Sequence, residues 1–317
     1  MIRRLLTLLL LIQIAAALAL ANAVHGRWPQ QWNVAAALAL GVGAIVLLRL
    51  LISLHNFHGS RRAGSPTPTE HALDYRGALR LFGAEFAASM LYSSWSMLHP
   101  LGWRLQPRDR QRGLPVLLLH GYLCNSGYWH GLSRALAQAG ISHAGIDLEP
   151  LGGSIDDYAG QVQAAVERLC AETGNSQVII VGHSMGGLVA RAYLRRHGAR
   201  RVARVITLGT PHHGSALAAL APGRNGAQMR PDSAWLRELD ASEANLQRGI
   251  FTSIYSVHDN MVAPQLSSHY GGATNRSFGG VGHVALGRAP EIVSTVLDEI
   301  AATNRAVRES EGQAASR

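Results

Sequence analysis

Ser184 lies in the run Val181-Gly182-His183-Ser184-Met185-Gly186-Gly187, between an apolar stretch, Val178 to Val181, and a helix-like stretch, Leu188 to Arg196. Strand, Gly-x-Ser-x-Gly turn and helix together make a nucleophile elbow. The turn is too tight for side chains beside the nucleophile, hence Gly182 and Gly186, and it lifts the serine hydroxyl above the sheet edge. The start of a helix also favours negative charge, because its first N–H groups have no intrahelical partner. The chemistry this predicts is attack of an activated serine on an acyl carbonyl.

A serine hydroxyl is a weak nucleophile until a base takes its proton, and after such an elbow the acid and the histidine follow in that chain order. Phe251 to Val257 reads as a strand with His258-Asp259-Asn260-Met261 at its C-terminal end, which makes Asp259 the candidate acid. His283 comes just past a short segment, Arg276 to Val281, and ahead of a last helix, Pro290 to about Thr303, which makes it the candidate base. His258 is disfavoured because adjacent residues in extended chain point apart. Asp232 and Asp240 have no strand before them and read as solvated. The oxyanion formed on attack needs two backbone N–H donors. Met185, next after the nucleophile, is one; Tyr122, in the loop after the apolar run Leu114 to Leu119, is the other, with Gly121 giving room for the substrate. His120 reads as a residue that fixes this loop.

These residues need a framework that brings strand ends together. Leu114–Leu119 and Val178–Val181 are fully apolar, as buried parallel strands are. Ile141–Ile146 and Val202–Leu208 read as further strands, and Ser154 caps a helix over Tyr158–Thr173 that Gly174 closes. Alternating strands and helices predict a parallel sheet with helices on both faces and functional residues at the strands' carboxyl ends. Ser215 to Gly249, with Trp235, Leu236 and Leu239, reads as an inserted small cap.

With these motifs in this order, the chain resembles the α/β-hydrolase lipases, in particular bacterial triacylglycerol lipases and GPI inositol-deacylase-like esterases. The resemblance rests on Leu119-His120-Gly121-Tyr122, Gly182 to Gly187, Leu208-Gly209-Thr210-Pro211-His212-His213-Gly214-Ser215, the Asp259 segment and Gly282-His283, and it spans about Leu114 to Ile300. It implies an α/β-hydrolase fold, a catalytic triad of Ser184, Asp259 and His283, and an oxyanion hole of Tyr122 and Met185. The calcium site and disulfide that some such lipases carry have no matching motif here. His212-His213 lacks the spacing of a zinc pair, so neither metal nor cofactor is expected. Cys124 and Cys170 are too few for a disulfide framework, and Cys124 reads as a small, partly buried side chain.

The N-terminal region follows a different pattern. Leu5–Val24 and Val34–Leu54 are apolar and each long enough to cross a hydrocarbon core of about 30 Å, and Arg49, near the end of the second, is expected to snorkel. They predict a transmembrane helical hairpin, linked by a segment with Trp28 and Trp32. A competing reading takes Arg3-Arg4, the first apolar run and Ala21-Asn22-Ala23 as a cleaved signal peptide, which still leaves the second span as an anchor. Arg3-Arg4 and Arg61-Arg62 flank the two spans, so both ends are expected on the cytoplasmic side of a bacterial inner membrane; an exported, membrane-tethered body is the alternative. The expected organisation is an anchor over 1–60, a basic linker with an amphipathic helix over 61–112, a catalytic domain over 113–304 with its cap at about 215–249, and a polar tail over 305–317. In the amphipathic helix, Tyr75 to Leu91, the apolar side is read as Leu79, Phe82, Phe86 and Met90, packed on the catalytic domain, with the membrane surface as the alternative.

The net charge of +9 is uneven: residues 1–112 carry 12 arginines against 4 acids, whereas the remainder is nearly neutral. The basic excess belongs beside anionic headgroups, and with no aromatic-interleaved basic motif a nucleic-acid partner is not expected. Together these readings predict a membrane-anchored serine ester hydrolase acting on a lipid-like ester through an acyl-enzyme. The alternatives are an acyltransferase using the same intermediate and a non-catalytic membrane scaffold.

Overall fold

The computed structural model describes residues 1–107, 109–243 and 248–315. Its framework is a seven-stranded sheet: β1 (Gly102–Arg104), β2 (Val116–Leu119), β3 (His143–Ile146), β4 (Val178–His183), β5 (Val202–Leu208), β6 (Phe251–Ser256) and β7 (Thr274–Phe278). The spatial order is β1-β3-β2-β4-β5-β6-β7; β1 runs antiparallel to β3, and every other neighbour is parallel. Alternation along β2 and β4 assigns the two faces. Leu117, Leu119, Val178 and Ile180 pack under α5 (Tyr158–Thr173) and α6 (Met185–His197). Val116, Leu118, Ile179 and Val181 pack under α4 (His130–Gln138) and α9 (Pro290–Ala315). Complete burial of each such side chain stabilises the fold by roughly 1.5–3 kcal/mol.

Local chemistry explains several boundaries. Ser154 and Asp157 form a capping box ahead of α5, and Gly174 closes it in the left-handed conformation. The last helix runs to Ala315, beyond the expected end near Thr303 and into the expected polar tail: no proline interrupts residues 305–315, and alanine, arginine and glutamate are good helix formers. Residues 316–317 of that tail lie outside the described residues, as do residue 108 of the linker and residues 244–247 of the expected cap.

Two long apolar helices, α1 (Ile2–Arg27) and α2 (Val34–Arg62), form an antiparallel hairpin. They approach closely where Gly41 faces Ala17: a Cβ at Gly41 would lie 2.3 Å from the Ala17 carbonyl oxygen. Few residues of either apolar stretch are buried, 6% in α1 and 11% in α2. The open end of the hairpin meets the body. The Met1 ammonium pairs with Glu149, the Ser65 N–H donates to Gln265 Oε1 at 2.8 Å, and Leu6 packs against the α4/α9 side of the core.

Between hairpin and body lies α3 (Tyr75–Ser94), begun by Asp74, whose carboxylate accepts the Gly77 N–H. The helix packs on two sides, and this corrects the single apolar face expected. Leu81, Glu85, Ala88 and Tyr92 are buried toward the body, whereas Phe82 turns to Phe57 of α2, with ring centroids 5.7 Å apart. Arg49 does not snorkel: its guanidinium donates to Gln13 Oε1 of α1 at 2.6 Å and to Ser93 and Ser94 of α3 at 2.9 and 3.0 Å. Partners from two neighbouring helices are within reach, so the charge is satisfied inside the seam.

Candidate active site

Four strands deliver the site. β4 runs into α6 through Ser184, whose φ of 54° and ψ of −123° are rare for a residue with a side chain. The strain is held from both sides: the Ser184 N–H donates to the Leu208 carbonyl at 2.8 Å, and the Thr210 hydroxyl donates to the Ser184 carbonyl at 2.9 Å. A Cβ at Gly186 would come within 2.2 Å of the Leu119 carbonyl oxygen, and one at Gly182 within 2.7 Å of the Gly186–Gly187 backbone. Only glycine fits at both.

Asp259 and His283, 24 residues apart, meet past the ends of β6 and β7. Asp259 Oδ2 lies 2.7 Å from His283 Nδ1, and both residues are almost wholly buried. The other Asp259 oxygen accepts the N–H groups of Met261 and Val262 at 2.8 and 2.7 Å, which fixes the carboxylate's orientation. Burial pulls the His283 imidazole down, but the charge and hydrogen bond of Asp259, with the charge of Glu85, outweigh it and hold its pKa above the usual histidine value. Ser184 and His283 line one cavity of about 770 Å³, as do Gly121 and Tyr122. The backbone N–H groups of Tyr122 and Met185 hydrogen-bond to no described residue, and the Tyr122 hydroxyl donates to the Pro222 carbonyl at 2.6 Å.

Other sequence expectations find their places nearby. The Leu148 N–H donates to His120 Nε2 at 2.9 Å, so His120 Nδ1 carries the proton it shares with the Gly121 carbonyl at 2.8 Å, and the loop is held at both ends. His258 accepts the Gly280 N–H at 3.0 Å. His212 is buried, stacked on Tyr270 with ring centroids 4.3 Å apart. Cys124 is half-buried beside Met97. Asp240 is not a free solvated acid, because its carboxylate accepts from buried Arg191 at 2.6 Å and from Arg248 at 3.1 Å. The expected cap divides. Among the described residues, only its first part borders the cavity: a 3-10 turn over Ala216–Leu220, the adjoining Pro222, and Met229 at the end of α7 (Gly223–Gln228). Trp235, Leu236 and Leu239 belong to α8 (Ala234–Ser242), which packs on the body through the Arg191–Asp240 pair and a bond from the Trp235 indole to Asp156.

Three side chains that sequence reasoning passed over support the histidine. His183, stacked 4.2 Å from Tyr128, meets the His283 carbonyl at 3.1 Å; burial drives its pKa far down, so it is neutral and donates through Nε2. Asn260 Oδ1 accepts the His283 N–H at 2.9 Å. Glu85, reaching over from α3, accepts the N–H groups of Val284 and Ala285, each at 2.9 Å. Burial pushes the Glu85 carboxyl up, against the opposing pull of those two N–H groups. One signal was available: Glu85 is the sole acid within the helix and shares a face with Leu81, Ala88 and Tyr92.

Comparison with known proteins bears on the fold. Residues 115–276 match the family described as alpha/beta hydrolase fold, a match that begins past the hairpin and α3. A triacylglycerol lipase of Pseudarthrobacter phenanthrenivorans is 35% identical over 114 residues, 33% of this chain and 35% of that protein. A non-heme haloperoxidase of Rhodococcus erythropolis is 32% identical over 132 residues, 40% of this chain and 42% of its own. The chain therefore spans about a third of the length of the triacylglycerol lipases it matches. Among solved structures, the mature form of a Bacillus licheniformis lipase superposes with a TM-score of 0.56 at 20% identity, covering 64% of this chain and 99% of that one. The matched residues, 115–276, make up just over half of the chain, and the chain belongs to the α/β-hydrolase fold family.

Proposed function

We propose that the protein is a membrane-anchored serine carboxylic-ester hydrolase acting on lipid-like esters, with Ser184, His283 and Asp259 as its triad. The observation that carries this reading is the 2.7 Å Asp259–His283 contact beside a cavity lined by both His283 and Ser184. Relatives named triacylglycerol lipase support an ester substrate. With Nδ1–H donated to Asp259, the Nε2 lone pair of His283 takes the Ser184 proton as Oγ attacks the ester carbonyl. The electrons displaced onto the carbonyl oxygen are held by the N–H groups of Tyr122 and Met185, each such donor contributing on the order of 10²–10³ in rate. Collapse breaks the bond to the alcohol, which leaves with the proton from His283. Water, deprotonated by the same nitrogen, then releases the acid from Ser184.

The anchor in this reading is the α1–α2 hairpin. Its outward apolar residues and the arginines at its open end, Arg3, Arg4, Arg61 and Arg62, favour insertion with both ends on the cytoplasmic side, where the body sits. A fluorophosphonate probe tests the chemistry: it should label Ser184, and Ser184→Ala should abolish labelling and p-nitrophenyl ester hydrolysis while circular dichroism stays unchanged. Full activity in Ser184→Ala overturns the assignment.

A further inference from the structure

The cavity above Ser184 is not closed by the body alone. One wall comes from the end of α2, through His55, Asn56, Gly59 and the capping residue Ala63, whose N–H still donates to the Gly59 carbonyl. Residues 55, 59 and 63 follow one another at four-residue steps, so they form one stripe of the helix surface. The stripe is low where it meets the cavity: a Cβ added at Gly59 would find nothing within 4 Å. Upstream, the same helix presents exposed Leu47, Leu48, Leu51 and Ile52 to its surroundings. The opposite lip of the cavity is apolar and uncovered as well. Leu220 is 88% exposed, and Leu123 and Met261 are also exposed, although all three line the cavity. Large apolar side chains left in the open at the mouth of a pocket mark a surface meant for an apolar partner. Inside, Tyr92 of α3 lines the cavity and holds a buried hydroxyl with no hydrogen-bond partner among the described residues.

We infer that the C-terminal part of α2 belongs to the substrate site: the face carrying Gly59 and Ala63 is the wall along which the acyl chain lies, and the substrate is a long-chain ester that enters sideways from the lipid phase, between α2 and the 216–220 turn. This rests on reading the site as an ester hydrolase. A chain lying beside Leu51 in the bilayer reaches Gly59 by moving along one face of the same helix, past His55, without leaving the protein surface. The apolar helices then do more than tether the body. They complete its pocket.

The test uses the full-length protein in phosphatidylcholine vesicles with p-nitrophenyl esters from acetyl to palmitoyl. In the series Gly59→Ala, Gly59→Leu and Gly59→Phe, the ratio of kcat/KM for the dodecanoyl ester to that for the acetyl ester should fall stepwise, by about tenfold or more for phenylalanine, since filling a pocket discriminates on that scale. Gly43→Phe, on a part of α2 away from the cavity, where a Cβ also meets nothing within 4 Å, should keep the wild-type ratio. Fluorophosphonate labelling of Ser184 reports the fold of each variant; should phenylalanine abolish labelling, the alanine and leucine steps decide. A ratio unchanged across all labelled Gly59 variants, or one lowered equally by Gly43→Phe, overturns the inference and leaves the ester hydrolase reading intact. Failure of the wild type to be labelled or to cleave the acetyl ester overturns that underlying reading instead.

Discussion

The hairpin and the hydrolase body use the same residue types in opposite ways. In the body, Val116–Leu119 and Val178–Val181 are completely buried, and their stabilisation comes from roughly 25 cal/mol per Å² of apolar surface taken out of water. In α1 and α2 most leucines, isoleucines and valines point outward, so the same surface is left for the medium around the molecule. Polar groups are inverted in the same sense. Arg49 turns into the seam between helices, whereas the arginines that end α2, Arg61 and Arg62, are exposed at the hairpin's open end. Under the membrane-anchored reading proposed above, the two regions face different solvents. This also explains why α3, which must face both, carries Phe82 toward α2 and a buried glutamate toward the body.

The sharpest way to break this comparison is all-or-none. With alkaline phosphatase fused after Arg317, the fusion should be inactive, and a fluorescent protein at the same position should be bright, because arginine bias sets orientation. An active phosphatase would put the body on the exported side while leaving the site unchanged.

Next comes a change confined to the body. Asp259→Asn should lower kcat by about 10⁴, with the protein still in the membrane fraction. Activity within tenfold of wild type would remove Asp259 from its role.

The seam itself is probed through Glu85. Glu85→Ala leaves two buried N–H groups unpaired, at a cost of about 1–3 kcal/mol each, and should lower kcat more than KM rises, because those groups follow directly on His283. Glu85→Gln should recover most of that loss. In the proposed mechanism His283 acts as a neutral base, so the wild-type kcat/KM should rise with pH through a midpoint above the usual value of about 6.5. Glu85 charge favours the imidazolium, so Glu85→Gln should move that midpoint down. An unmoved midpoint alongside full activity would reduce Glu85 to a packing residue.

The smallest effect on turnover is expected furthest from the seam. Asp240→Asn weakens the pairing of buried Arg191, with Glu243 still accepting at 2.8 Å. It should lower stability by about 1–3 kcal/mol, read as a drop in melting temperature, with kcat near wild type. A dead but stable variant would mean that the acid had been assigned to the wrong strand end.

The amino-acid sequence alone determined whatever depends on neighbours along the chain. The Gly182-Ser184-Gly186 turn, the strands Val202–Leu208 and Phe251–Ser256, the capped helix Tyr158–Thr173 and the two apolar helices were legible, because period, capping and steric crowding act over a few residues. That Asp259 and His283 would meet was also legible: Asp259 stands beyond a strand-like segment, as Asp240 does not, and His258, adjacent to Asp259, points away from it, while the fold brings His283 to 2.7 Å. Tertiary structure alone decided which distant surfaces share a space. That Glu85 would cross some 200 residues of chain to hold the backbone after His283, that Arg49 would find Gln13 and Ser93, that Trp235 and Leu239 would pack on the body and not over the cavity, and that Gly59 would stand at its wall, follow from how four helices close against one another and the sheet. A buried polar group takes whichever partner packing brings within about 3 Å, and packing is a property of the whole fold, which no local window of the chain contains.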